Sequence, residues 1–521
     1  MASDSSRTLI DNLLAEQQQL TAVERFSRRH ESSQVPAQAR YYRDLIPLHK
    51  PRPGEQYAFA VDLDACTGCK ACVSACHSLN GLDEDETWRS VGLLHGGTEA
   101  EPYQQVVTTA CHHCADPACL NGCPVLAYEK DVDTGIVRHL DDQCIGCQYC
   151  VLKCPYDVPK YSARRGIVRK CDMCHGRLAA GEAPACVQAC PSGAISIQLV
   201  AKTDIERISA APGEQMLPGA FASSYTKPTT TYISRKPIPP NAHGANAERF
   251  RSEPAHWPLV WMLVFTQTAA GLFLSAWLTA LFKPHVFAVG REPLAATGLT
   301  FLLAGLGASI FHLGRPFGAW RSFLGFRRSW MSREIVVFVF FALTACACLS
   351  SATPALTAAA ALLGLLSVFC SAMIYVDTRR PSWAPWPTFP KFFGTTLLLG
   401  SAATACVLSC FAITHGSELK AAAGFASGLA TVISTALFVW EVSSGLHKRE
   451  RTFLYPFNRF NSFNALFIFS TSFGLPAIFS SGRVAVSCAI ISFLSTFVWQ
   501  IIERYFFFTT STAARMPGTA A

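Results

Sequence analysis

Residues 144–155 read CIGCQYCVLKCP: four cysteines, Cys144, Cys147, Cys150 and Cys154, closed by Pro155. A CxxCxxC loop wraps three thiolates round one cube of iron and sulfide, and the fourth cysteine leaves on a segment aimed at a neighbouring cluster. Three more groups flank it: Cys66, Cys69, Cys72 and Cys76; Cys111, Cys114, Cys119 and Cys123, then Pro124; and Cys171, Cys174, Cys186 and Cys190, then Pro191. Zinc accounts for a lone CxxC pair, and disulfides for a cysteine-dense secreted domain. Four consecutive groups of four, three of them ending in Cys-Pro, fit neither. The spacing predicts four [4Fe–4S] clusters on a duplicated ferredoxin-like α+β domain. Cross-ligation predicts the sets Cys66, Cys69, Cys72 with Cys190; Cys171, Cys174, Cys186 with Cys76; Cys111, Cys114, Cys119 with Cys154; and Cys144, Cys147, Cys150 with Cys123.

Outward from these motifs the composition changes sharply. Before about residue 250 the polypeptide is polar and holds 16 of its 22 cysteines; afterwards apolar runs dominate. The remaining six, Cys346, Cys348, Cys370, Cys406, Cys410 and Cys488, lie in apolar segments and read as small buried hydrophobes. Eight stretches are long enough to cross a bilayer, or nearly so: Trp257–Phe282, Leu294–His312, Glu334–Ser351, Leu356–Tyr375, Thr395–Thr414, Ala421–Trp440, Phe463–Ser480 and Val484–Tyr505. They predict an all-α polytopic bundle of eight transmembrane helices over 256–508, followed by a tail, 509–521. The four-cluster domain is expected over 55–200 and a Pro-, Ser- and Thr-rich linker over 201–255. An N-terminal arm, 1–54, carries one helix over 8–30 whose apolar face suits a partner subunit or its own domain.

The net charge of +8 does not call for nucleic acid, because much of the excess flanks the apolar runs. Loops on the cluster-domain side carry Arg315, Arg321, Arg327, Arg328, Arg333, Arg379, Arg380, Lys391, Lys448, Arg449, Arg451 and Arg459. The opposite loops carry only Lys283, Arg291, Lys420 and Arg483. This asymmetry predicts an inner-membrane protein with its cluster domain in the cytoplasm. Residues 1–50 show neither an apolar signal core nor a twin-arginine signal, which agrees.

The segments CHHCADPACLNGCP, CIGCQYCVLKCPYDVPKY and KCDMCHGRLAAGEAPACVQACP resemble the iron–sulfur subunit of dimethyl sulfoxide reductase and its relatives. FHLGRPFGAW (Phe311–Trp320), SWMSREI (Ser329–Ile335) and SAMIYVDTRRPSW (Ser371–Trp383) resemble the anchor subunit of the same family. The resemblance implies two subunits, separate in most of the family, fused here. It also implies a molybdopterin-containing catalytic subunit as partner, with membrane lipid and quinone as surroundings.

Quinol oxidation needs a polar acceptor at the membrane edge beside a redox centre. By span counting, His312 closes the second span and Glu334 opens the third, both on the cluster-domain face. The resemblance associates a His and a Glu at these places with menaquinol binding; Arg315 and Arg333 are the next candidates. No histidine pair within the spans suits a haem, His415 and His447 lying at or beyond span ends. The expected role is an electron-transfer and anchor subunit that oxidises quinol and feeds a separate catalytic subunit. Reverse flow from a formate-dehydrogenase-like or polysulfide-reductase-like partner, and a non-enzymatic membrane redox sensor, are the alternatives.

Overall fold

In the computed structural model the described residues are 8–18, 21–32, 39–247, 251–415, 417–448, 474–479, 482–512 and 515–518. Strand β1 (Glu55–Asp62), an almost unbroken apolar run buried on both faces, is the axis of the cluster domain. Downstream lie β2 (Ser90–Gly97), β3 (Pro102–Thr109), β4 (Ile195–Ala201), β5 (Thr231–Ile233) and β6 (His243–Gly244). β1 pairs antiparallel with β4 and parallel with β5; β2 pairs with β3 on one edge and β6 on the other. Two short hairpins, Tyr128–Lys130 with Val137–His139 and Lys160–Ser162 with Ile167–Arg169, each follow a Cys-Pro exit. That repeated unit of cysteine loop, proline and hairpin is the ferredoxin duplication.

The segment read as a linker is built into this domain. β5 and β6 belong to it, and so does a helix, Lys202–Ser209. Its apolar residues are too sparse to show a period, but its backbone groups are paired along the edges of two sheets. The arm also differs from the single helix expected. It forms Leu9–Gln18 and Ala22–Ser32, each opened by a capping box, Thr8 with Asp11 and Thr21 with Glu24. The second box restarts the helix inside what reads as one period. Leu9, Ile10, Leu13 and Leu14 are all exposed.

Seven helices long and apolar enough to span a membrane occur among the described residues. They are α1 (Trp257–Phe282), α2 (Pro284–Ile310), α3 (Trp330–Ser350), α4 (Pro354–Val376), α5 (Pro385–His415), α6 (Ser417–Lys448) and α7 (Gly482–Thr509). The expected span Phe463–Ser480 lies outside the described residues except at 474–479, which are helical and run antiparallel to α6, Gly474 beside Ser427 and Ile478 beside Gly424. α2 and α5 begin well before their expected starts, because Arg291 and Glu292 in one and a proline-rich opening in the other break the apolar run without breaking the helix. α2 stops at Ile310, so His312 lies just past its end, and α3 starts at Trp330, so Glu334 sits inside it. Of the six scattered cysteines, Cys348 and Cys370 are buried as expected, whereas Cys346 and Cys410 are exposed on their helices.

α1 is the most enclosed helix. A Cβ at Gly271 would come within 2.6 Å of the Gly400 Cα on α5, a contact only small residues permit. Lys391 on α5 pairs with Glu503 on α7 at 2.6 Å, and Arg504 donates to Gln267 on α1 at 3.1 Å. After α7 the polypeptide returns to the cluster domain, where Leu93 of β2 donates to the Gly518 carbonyl at 2.8 Å and Gly518 donates to Asn246 Oδ1 at 2.8 Å. The two halves share one hydrophobic core, running from Ile145, Tyr149 and Leu152 to Phe341, Trp383 and Phe508.

Candidate functional site

Each cysteine loop turns through a left-handed residue just before its second cysteine: Gly68 (φ +74°), His113 (+41°), Gly146 (+69°) and Met173 (+60°). This bend lets the flanking cysteines converge on one side of the loop.

Three cavities result. One is lined by Cys76, Cys171, Cys174 and Cys186; one by Cys111, Cys114, Cys119 and Cys154; one by Cys66, Cys69, Cys72 and Cys190. Each joins three cysteines of one motif to one of another, the cross-linking that a paired ferredoxin uses. Cys123, Cys144, Cys147 and Cys150 form a fourth group within electrostatic reach of one another. Among the described residues no three His, Cys, Asp or Glu side chains converge as a single metal ion requires; the thiols stand apart around space that a larger all-thiolate centre fills. Burial pushes the Cys76 thiol up to about 12 and Cys154 to about 11, so bound iron must displace their protons.

The four sets follow one another as neighbours. Cys69, at one end, is exposed. Its set neighbours the Cys171 set through Cys72 and Cys186, and Cys171 neighbours Cys111. Tyr128 bridges Cys119 to Cys123 and Cys150. The Cys147 set is the one against the membrane half.

Anchor donors meet carbonyls beside the cysteines of that last set, before Cys147 and on either side of Cys123. The Arg315 backbone N–H donates to the Ile145 carbonyl at 3.0 Å and its guanidinium to the Asp141 carbonyl at 2.9 Å. Gly325 N–H donates to Pro124 at 2.8 Å and Ser329 Oγ to Gly122 at 2.7 Å. From the other side Lys153 reaches Asp377 at 2.6 Å, and Tyr149 Oη donates to the Ile374 carbonyl at 3.1 Å. At the centre three glycine backbones touch: a Cβ on Gly166 would lie 2.6 Å from the Gly314 carbonyl oxygen, and one on Gly146 3.0 Å from the Gly314 Cα.

This packing sets His312 against the backbone of Cys147. Its ring meets His256 edge to face, centroids 5.2 Å apart. Burial, then the neighbouring His256, holds the His312 imidazole down at about 4. Glu334 is 5% exposed and accepts a hydrogen bond from Ser371 Oγ. The two side chains thus have separate surroundings, the Cys147 loop for His312 and Ser371 for Glu334. Arg315 is engaged in docking. Arg333 caps its own loop through the Phe326 and Arg327 carbonyls, at 3.2 and 3.0 Å, over the Trp330 ring.

Sequence reasoning missed His256, Gly314 and Asp377. His256 precedes the first apolar run and reads as a boundary. Gly314 and Asp377 lie inside the quoted HLGRP and YVDTRRP segments, where only a partner surface gives them a role.

Residues 103–200 match the family described as 4Fe-4S dicluster domain, and residues 252–510 match the DMSO reductase anchor subunit (DmsC). The B subunit of the anaerobic dimethyl sulfoxide reductase of Haemophilus influenzae is 39% identical over 150 residues, 27% of this protein and 73% of the relative. The B subunit of the Escherichia coli enzyme of the same name is 40% identical over 148 residues, 27% of this protein and 72% of the relative. The formate dehydrogenase-O iron-sulfur subunit of Escherichia coli is 34% identical over 158 residues, 27% of this protein and 52% of the relative.

Proposed function

We infer the activity from one premise: this protein is a member of the dimethyl sulfoxide reductase family, with that family's iron–sulfur subunit and anchor subunit in a single polypeptide. It is a multi-pass membrane protein that binds iron–sulfur clusters and serves as the electron-transfer and anchor component of a dimethyl sulfoxide reductase-like complex, working with a catalytic partner subunit. Beyond this, we propose that it oxidises menaquinol at His312 and Glu334 and delivers the electrons, at the Cys69 end, to a molybdopterin-containing partner. The observation that carries the reading is the docking of the loop just past α2, in which the Arg315 N–H donates to the Ile145 carbonyl at 3.0 Å and Gly314 packs on Gly146, setting His312 beside the Cys147 loop.

Sixteen cysteines in four sets hold four [4Fe–4S] clusters, each of which, when bound, takes up and hands on one electron at a time. The protein groups do the rest. A buried imidazole held near 4 is neutral at physiological pH, so His312 accepts a hydrogen bond from a quinol hydroxyl. Glu334, oriented by Ser371, takes up a released proton and passes it toward the aqueous face. Each quinol would yield two protons to that face and two electrons, taken one at a time by the cluster that Cys123, Cys144, Cys147 and Cys150 would hold. Arg315 holds the loop on which His312 sits, and Arg333 fastens the loop before α3, the helix that carries Glu334.

Purification of the complex from membranes tests this reading. It is expected to yield about sixteen irons per polypeptide, with a molybdenum-containing subunit bound. Stoichiometric zinc, or half that iron, overturns it. A partner that oxidises its substrate with quinone as acceptor favours reverse flow, the direction that the similarity to a formate dehydrogenase subunit supports.

The cluster domain is proposed to face the cytoplasm. Among the described residues, Arg315, Arg321 and Arg380 all contact the cluster-domain side, so the basic loops and the clusters share one face. A reporter active only in the cytoplasm, fused after Ala521, is expected to be active; activity there of a periplasm-only reporter reverses the assignment.

A further inference from the structure

Arg89, the residue before β2, is 2% exposed. Among the described residues no carboxylate pairs with it; the nearby Glu86 is held by Arg169 at 2.9 Å. Arg89 Nη1 donates to Thr108 Oγ1 at 3.3 Å, and the guanidinium lies 4.7 Å above the Phe59 ring. Its Nε and Nη2 are buried with no hydrogen-bond partner among the described residues. The side chain lines the cavity of Cys76, Cys171, Cys174 and Cys186. Thr108 Oγ1 is also 3.7 Å from the Cys72 sulfur, which belongs to the adjoining set.

An isolated guanidinium in a low-dielectric interior is strongly unfavourable, and its fork of donors calls for an anion. Lys153 and Arg169, also buried, are paired with Asp377 and Glu86, and Lys170 is different again: its ammonium donates to the Cys171 carbonyl at 2.8 Å and to Val137. Of these four, Arg89 keeps donors without acceptors, beside a ring of thiols. Bound iron and sulfide with four thiolates form an anion that answers this demand.

We propose that Arg89 is a positioning residue that raises the reduction potential of the cluster held by Cys76, Cys171, Cys174 and Cys186, through the positive charge and the two unpaired donors it brings to that cavity. This rests on the cluster reading above. Reduction adds one electron, from the neighbouring centre in the protein or from dithionite in a titration. No proton moves at Arg89, which stays a guanidinium. The reduced form is the more negative, so a nearby cation and hydrogen-bond donors favour it.

The test is a potentiometric titration of the intact complex in membranes, followed by electron paramagnetic resonance, with iron measured in the same samples. In Arg89→Gln one signal is expected to need a potential lower by a tenfold or larger change in its reduced-to-oxidised ratio, about 59 mV for one electron. A smaller shift is expected in the signal of the Cys66 set, and none in the two nearer the membrane. Arg89→Lys, which keeps the charge, is expected to recover most of the shift. Arg89→Gln with full iron and unshifted potentials overturns the proposal. If Arg89→Gln loses a cluster, Arg89→Lys decides: full iron with an intermediate potential supports the proposal, and loss of the same cluster overturns it in favour of a folding role. Iron absent from the parent protein sinks the cluster reading itself.

Discussion

Replacing His312 with alanine is expected to lower oxidation of a menaquinol analogue in membranes by on the order of 100-fold or more, the scale of a lost acid–base group. Glu334→Gln is expected to do the same, since it keeps the shape of the side chain and the Ser371 contact but cannot take a proton. Dithionite should reduce the clusters fully in both variants, because it bypasses the membrane half. The expectation follows from placement. His312 sits where the loop leaving α2 meets the Cys147 loop, so an electron leaving quinol there has a cysteine set as its neighbour. Glu334 is buried in the second turn of α3, on the same face. Normal quinol turnover with either variant, iron content being equal, would make that residue structural and return the search to Arg315, Arg333 and His256.

Gly314→Val is expected to have an effect of similar size without touching any acceptor. A Cβ at Gly314 would approach within 2.8 Å of the Gly166 Cα, a backbone atom that cannot step aside as a flexible side chain can. The loop must then lift from the cluster domain and take His312 away from Cys147. A displacement of about 1 Å in a reacting pair costs on the order of 100-fold. Cluster content and dithionite reduction should be unchanged. Gly307→Ala is the control, since nothing lies within 4 Å of a Cβ there. A Gly314→Val protein that oxidises quinol at the parental rate would show that the three-glycine contact does not position His312.

What the sequence made legible follows from how locally each feature is encoded. Cysteine spacing is a covalent constraint, so the cross-linked sets could be written down before any cavity was seen, and three cavities bring those sets together. The run of α1 is apolar throughout and needed no correction at either end. The starts of α2 and α5 were obscured because hydropathy counts a charge or proline against a helix that continues through it. β5 and β6 were hidden because short edge strands are fixed by the neighbour they join. Gly314, Asp377 and Arg89 were hidden for a shared reason: each acquires its meaning from atoms far away in the sequence, at Gly166, Lys153 and the thiols beside Phe59.

The fastening of Gly518 to Leu93 bears on the order of biosynthesis. Leu93 leaves the ribosome early, and its partner follows only after every described membrane helix has been made. During that interval the cluster domain is complete in sequence while one side of β2 still lacks its last strand-like contact. In the order of synthesis, the contact made by the returning C-terminal segment is therefore the last of those described that can form.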